Sequence, residues 1–274
     1  MPRVVELTSY PVKGCAGVAV PATVVGPAGP AHDRAFMVVG PGGLFRSQRR
    51  DPGLALVRPA IDPAGELLTL SAPGAGPITV PVRTAGRGRE VTLFTWRYRG
   101  VDQGDAVAAW LTEVLDAPSR LVRVPEDHDR VVEGETVGTS GYADSGALHL
   151  TSRTSLAQLN ARVAARGDGT PPVAMSRFRP NVVLDGWPEP HREDDVRRAT
   201  LGDVELGFCK HAVRCSVALV DQEAGRRAGP EPLRTLATYR RARPKGVTFG
   251  VKFAVTRPGK ISVGDELNVL AWAR

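Results

Sequence analysis

The stretch ATLGDVELGF, residues 199–208, sets two apolar runs on either side of a Gly202-Asp203 pair. Glycine accepts the positive φ of a tight reversal, so the pair predicts a hairpin between two short strands. The same arrangement recurs around Gly264-Asp265 in KISVGDELNVL, residues 260–270. Upstream, RVVELTSYPV (3–12), ATVVG (22–26), AFMVVG (35–40), LALVRPAI (54–61), ELLTLSA (66–72), PITVPVR (77–83) and EVTLFTWRYRGV (90–101) are short and rich in β-branched residues. Turn formers bound each of them, which is the pattern of strands. NVVLDG (181–186), CSVALVD (215–221) and GVKFAVT (250–256) read the same way. The 30 glycines and 23 prolines are spread throughout, so they punctuate these runs and mark no single linker.

Three segments carry helical spacing instead. In QGDAVAAWLTEVL (103–115), Val107, Trp110, Leu111, Val114 and Leu115 share one face, and Pro118 follows the end. In SLAQLNARVAAR (155–166), Leu156, Leu159 and Val163 align, and Gly167 stops the run. PLRTLATYRR (232–241) is the third. The expectation is a mainly β protein with a few helices (α+β), its strands closed into a barrel or sandwich that leaves few unpaired edges. A soft boundary between residues 100 and 118 separates a β-rich unit, 1–115, from a second unit, 116–274.

Composition limits the function classes. With 274 residues, 42% of them hydrophobic, the chain can bury a sizeable core. No run approaches the roughly 18 apolar residues of a membrane helix, and the N-terminus lacks a basic segment followed by an apolar one, so neither membrane nor signal peptide is expected. Three cysteines, Cys15, Cys209 and Cys215, are too few and too odd in number for a disulfide framework. They suit a reducing cytoplasm. The net charge of +7 comes from arginines scattered among acids, with only 5% aromatics, so no basic stripe for stacking bases exists and no nucleic-acid partner is expected. The five histidines form no zinc spacing with cysteine, and no Walker loop or dinucleotide fingerprint occurs.

Some residues can bear chemistry. A thiol must ionise to ligate a metal, and the guanidinium of Arg214 beside Cys215 favours the thiolate; a lone cysteine otherwise serves as a small buried hydrophobe. TSRTSL (151–156) is hydroxyl-rich, carries Arg153 and opens a helix whose N-terminal amides attract anions. It can equally be a plain cap made by Ser152 or Thr154. Arg179 and Asn181 in FRPN suit an anion site or a turn with a satisfied amide. Arg34 can grip an anion or pair with Asp33. His211, four residues before Cys215, is a proton donor or an exposed loop residue.

In order and spacing, FRPNVVLDG (178–186), LGDVEL (201–206), Arg214-Cys215, VDQEAG (220–225), EPLRTLATYR (231–240), FG (249–250) and KISVGDELNVL resemble the MOSC domain, the module named for the C-terminus of molybdenum cofactor sulfurase. YPVKGC (10–15), HDRAFMVV (32–39), SQRRDPGLALVRP (47–59) and DQGDAVAAWLTEVL (102–115) resemble the domain that precedes MOSC in the mitochondrial amidoxime-reducing component and its bacterial relatives. The resemblance implies a MOSC β-barrel behind an N-terminal β-rich MOSC-N domain. It implies the molybdenum cofactor, with Cys215 as catalytic metal ligand, in keeping with the preference of such a metal for soft sulfur. Lys13, Arg34, Ser152, Arg153, Thr154, Arg179, Asn181 and Arg214 would bind the pterin and its phosphate. One departure is Lys13-Gly14-Cys15, where the family commonly has Lys-Ser-Cys.

The implied activity is reduction of small N-hydroxylated compounds, N–OH to N–H plus water, at the cost of two electrons and two protons. Two other roles need the same thiolate: a sulfurtransferase carrying a persulfide on Cys215, and a non-catalytic carrier of the cofactor. Three cysteines cannot both ligate molybdenum and hold a four-cysteine cluster, so electrons are expected from a separate donor, ferredoxin-like or a haem protein with its reductase.

Overall fold

The computed structural model describes residues 1–242 and 246–273. Its main body is an eight-stranded sheet. In chain order the strands are β1 (Arg3–Ser9), β2 (Val18–Ala19), β3 (Leu148–Ser152), β4 (Val182–Asp185), β5 (Val196–Leu201), β6 (Val204–Arg214), β7 (Val247–Arg257) and β8 (Leu267–Trp272). Across the sheet they run β8-β5-β6-β7-β3-β4-β1-β2. The Gly202-Asp203 hairpin forms as read, with Leu201 opposite Val204 and Gly202 at φ 54°. Val4, Leu7, Leu150, Leu184, Leu206 and Phe253 meet in one core on this sheet.

A second, five-stranded sheet joins residues 12–13, 36–39, 88–93, 96–102 and 120–123. Helix α1 (Asp105–Val114) covers it, burying Val107 and Leu111 against Val12, Phe36 and Leu121. Helix α2 (Arg153–Ala164) and helix α3 (Leu233–Tyr239) share a third cluster with Phe178 and Phe249. The protein is thus mainly β with three α-helices among its described residues.

Pairing across the chain ties the two units together. Strand β1 lies antiparallel to β4, and residues 22–26 pair with 259–262. Residues 3–9, 18–19, 22–26 and 29–30 therefore join the sheets of the second unit, although in sequence they belong with 1–115, whereas 12–13 stay with the five-stranded sheet. Strand β4 has a parallel neighbour, β3, on one side only. Strand β1 fills its other edge and buries Val4 and Leu7, each worth about 1.5–3 kcal/mol.

Three local expectations are corrected. CSVALVD is mostly not a strand: residues 216–219 form a 3-10 turn opened by the bond from Ala218 N to Cys215 O, at 3.0 Å. Arg177 Nε donates to the Ala218 carbonyl at 2.8 Å, so tertiary bonding overrides the β-branched composition. The start of LALVRPAI lies in a 3-10 turn, 52–56, because Pro52 presets its first position. Gly264-Asp265 makes a turn but no hairpin. The strands flanking it pair with 22–26 and with β5, in different sheets.

Candidate active site

Cys215 stands immediately after β6, half-buried, at the wall of a cleft between the two main sheets. Cations crowd this cleft: Lys13 and Arg49 from the N-terminal part, Arg179, Arg214 and Lys252 from the C-terminal part, with Arg34 beside them. The other two cysteines are inside the protein. Burial pushes the Cys15 thiol up to about 12 and also raises Cys209. Neither lines the cleft, so Cys215 is the thiol placed for chemistry.

A guanidinium that the sequence did not single out approaches the thiol. Arg49 Nη1 lies 3.8 Å from Cys215 Sγ. Arg214, adjacent in sequence, instead donates to the Phe178 carbonyl at 2.8 Å. Both Arg214 and Cys215 nevertheless line the cleft. Arg49 is steadied by Phe45 and Phe94, whose ring centroids each lie 5.6 Å from its guanidinium carbon.

Arg34 and Arg179 both flank the buried Tyr10 ring, at 4.2 and 4.3 Å from its centroid. Both have left-handed backbones, φ 49° and 54°, and such strain concentrates where side chains must be aimed. Arg34 Nη1 donates to Asp33 at 2.5 Å and to Asn181 at 3.1 Å, and its Nη2 donates to the Arg179 carbonyl at 3.2 Å. The ion pair with Asp33 is therefore real, and Arg34 still lines the cleft. Asn181 does not. Its amide donates to Thr8 O and Asp33, and its oxygen accepts from Arg34 and the His149 amide. With both ends committed it holds Arg34 in place. Arg179 Nη1 donates to Gln222, which pairs with Gln48. Burial lowers Arg179 to about 10, so it stays charged at neutral pH. Lys13 donates to the Tyr142 carbonyl at 2.8 Å and pairs with Asp144. Burial lowers its pKa, and Asp144 offsets part of that.

The segment TSRTSL lies apart from the cleft and is a cap. Ser152 Oγ accepts from the Ser155 amide at 3.1 Å and donates to Glu193. Thr154 donates to the Trp187 carbonyl at 2.7 Å. Arg153 pairs at the surface with Glu6 and Asp185. Ser152, Arg153 and Thr154 thus have their hydrogen bonds elsewhere, and none of them lines the cleft. His211 is exposed, on β6 and not in a loop. The cleft instead uses residues that sequence reading left unassigned: Arg49, Gln48, His149, Lys252 and the loop 143–145. Gln48 and Arg49 fall within the SQRR motif, so a signal existed; His149 and Lys252 had none.

What would fit here follows from the donors. Arg179 Nη2, Arg214 Nε and His149 Nδ1 are buried without a hydrogen-bond partner. Unsatisfied buried donors among several cations fit an anionic group. Among the described residues, no group of three or more His, Cys, Asp or Glu is placed to hold a metal ion. A metal at Cys215 would take one ligand from the protein and the rest from a cofactor carried with it, as a metal–pterin does.

One half-buried thiol thus lies in a cation-lined cleft between two β-rich units. The MOSC N-terminal beta barrel domain matches residues 1–118 and the MOSC domain matches residues 138–268. The chain belongs to the family of two-domain MOSC proteins. Mitochondrial amidoxime-reducing component 1 of Homo sapiens is 32% identical over 288 residues, covering 97% of this chain and 82% of that protein. Mitochondrial amidoxime reducing component 2 of Rattus norvegicus is 32% identical, covering 94% and 80%. Molybdenum cofactor sulfurase of Danio rerio is also 32% identical, but covers 91% of this chain and only 31% of that longer protein. No helix among the described residues is long and apolar enough to cross a membrane.

Proposed function

We propose that this chain is a molybdenum-cofactor-dependent reductase of N-hydroxylated compounds, with Cys215 as the protein's ligand to the metal. The observation that carries the reading is the single cleft-lining thiol, half-buried amid cations whose donors are incompletely satisfied. When bound, the cofactor supplies two-electron redox chemistry and an open position for substrate. Arg179, Arg214 and Lys13 hold its anionic parts, each charge-assisted contact being worth about 1.5–3 kcal/mol. Arg34 and Asn181 position that set, and Arg49 brings a positive charge to the sulfur side. Phe45, with Phe94 stacked edge-on against it at 5.1 Å, gives the mouth an apolar wall that limits water around a small substrate. The net reaction adds two electrons and two protons to N–OH and releases water.

A persulfide-carrying sulfurtransferase uses the same thiolate, and the sulfurase relative favours it. Coverage of 82% of an amidoxime-reducing component against 31% of the sulfurase supports the reductase. The test is molybdenum content of purified protein together with reduction of benzamidoxime under a reduced viologen. The wild type should carry metal and turn over, whereas Cys215→Ser should lose both with its melting temperature within a few degrees. A fully active Cys215→Ser enzyme, or sulfur transfer without any amidoxime reduction, would overturn the reading.

A further inference from the structure

Strands β3 and β7 place His149 directly opposite Lys252. Residues opposite one another in an antiparallel pair share a face. Their neighbours Leu148, Leu150, Val251 and Phe253 turn into the core, so His149 and Lys252 turn to the cleft, which both line. His149 is 1% exposed, its Nδ1 has no partner, and its Nε2 makes only a 3.4 Å approach to the Phe249 carbonyl. Lys252 is half-buried and makes no ion pair or hydrogen bond among the described residues. Two glycines keep the space around the pair. A Cβ on Gly146 would stand 2.8 Å from Lys252 Cβ, and one on Gly250 would stand 2.8 Å from His149 Nε2.

We propose that Lys252 and His149 form an oxyanion subsite in the cleft, taking a phosphate monoester or a carboxylate. The charged groups around Lys252 are Lys210, opposite it on β6, with Arg34 and Arg214, which repel it, and Asp144 and Asp33, which attract it. Around His149 they are Lys252, Arg214 and Arg34. Both carboxylates are already committed: Asp144 to Lys13, and Asp33 to Arg34, Asn181 and the Tyr10 amide. No acid remains to pair with Lys252, so an amine beside two guanidiniums is completed as a cation only by an anion from outside. A neutral His149 offers Nδ1–H as a donor to the same anion. Enclosure, then Arg34 and Arg214, holds Lys252 well below its ordinary value, and enclosure holds His149 down too. Anion binding reverses this, so it takes up protons.

The subsite rests on the cleft being the anionic cofactor's site, and its test does not require metal. Full-length protein from a host unable to make the cofactor is titrated calorimetrically with inorganic phosphate near pH 8, in two buffers of different ionisation enthalpy. Wild type should bind with proton uptake. Lys252→Met should bind about tenfold more weakly with the uptake largely lost, and His149→Gln should weaken binding less. Thermal unfolding of each variant checks that it is folded. Unchanged affinity and unchanged proton uptake in folded Lys252→Met would overturn the proposal. Loaded enzyme distinguishes the source of the anion. If the cofactor's phosphate occupies the subsite, Lys252→Met loses pterin on desalting. If a substrate carboxylate does, pterin content holds and KM rises for a carboxylate-bearing amidoxime but not for a neutral one. Lys252-dependent phosphate binding in a protein that never acquires molybdenum would defeat the reductase reading and leave the subsite standing.

Discussion

Arg49 Nη1 stands 3.8 Å from Cys215 Sγ although 166 positions separate the two residues. The contact joins the N-terminal part of the chain to the thiol, and it makes the cleft a property of both parts. A guanidinium at this distance draws an anionic reagent toward the sulfur. Arg49→Gln should therefore slow alkylation of Cys215 by iodoacetate several-fold in cofactor-free protein, as read by peptide mass spectrometry. Cys15 and Cys209 are buried and should stay unlabelled in both proteins. An unchanged rate at Cys215 would show that Arg49 does not act on the thiol.

The cap at α2 yields a prediction in the opposite sense. Ser152→Ala removes the bond to the Ser155 amide and should cost roughly 1 kcal/mol or somewhat more. Thr154→Val should be milder still. Both variants should retain wild-type cofactor content after desalting, because neither side chain reaches the cleft. Loss of pterin at preserved stability would return these hydroxyls to the site.

Glu193 is fully buried and accepts hydrogen bonds from Ser152 at 3.0 Å and Ser155 at 2.7 Å. Burial outweighs these bonds and raises the carboxyl above its ordinary 4.5. The folded state then holds the proton more tightly than the unfolded state. The stability this provides is complete below the unfolded value and is lost as pH rises through the raised one, at up to about 1.4 kcal/mol per pH unit. Urea denaturation of wild type and Glu193→Gln between pH 4.5 and 8 should show the difference. The variant should gain relative stability as pH rises, and parallel profiles would contradict this reading.

Electron supply gives a fourth prediction. The three cysteines are free and Cys15 and Cys209 are buried apart from the cleft, so no iron–sulfur cluster is built from them. Purified enzyme should reduce an amidoxime with a reduced viologen or a reconstituted donor chain, and not with NADH or NADPH alone. With an acidic donor protein the rate should fall as salt rises, since a net charge of +7 speeds such encounters. Robust turnover on NADH alone would overturn the two-component reading.

Much of this protein was local and therefore legible in sequence. β-branched runs, the Gly202-Asp203 hairpin and the three helical stretches are set by neighbours a few residues apart, as is the Arg214-Cys215 pair that singles out the thiol. The weaving of residues 3–9 and 18–30 into the second unit was not legible, because an open strand edge accepts any strand of suitable register. Nor was the division of labour among polar residues. Ser152 and Thr154 look like anion ligands until Glu193 and Trp187 take their hydroxyls, while His149 and Lys252 look like ordinary strand residues until the register of β3 against β7 turns them to the cleft. The sequence by itself determined most of the segments that become strands and helices and which cysteine carries the motif. Only the tertiary structure decided which side chains face that cysteine, because the facing depends on pairing between strands a hundred residues apart, and a shift of one residue in that pairing reverses every side chain.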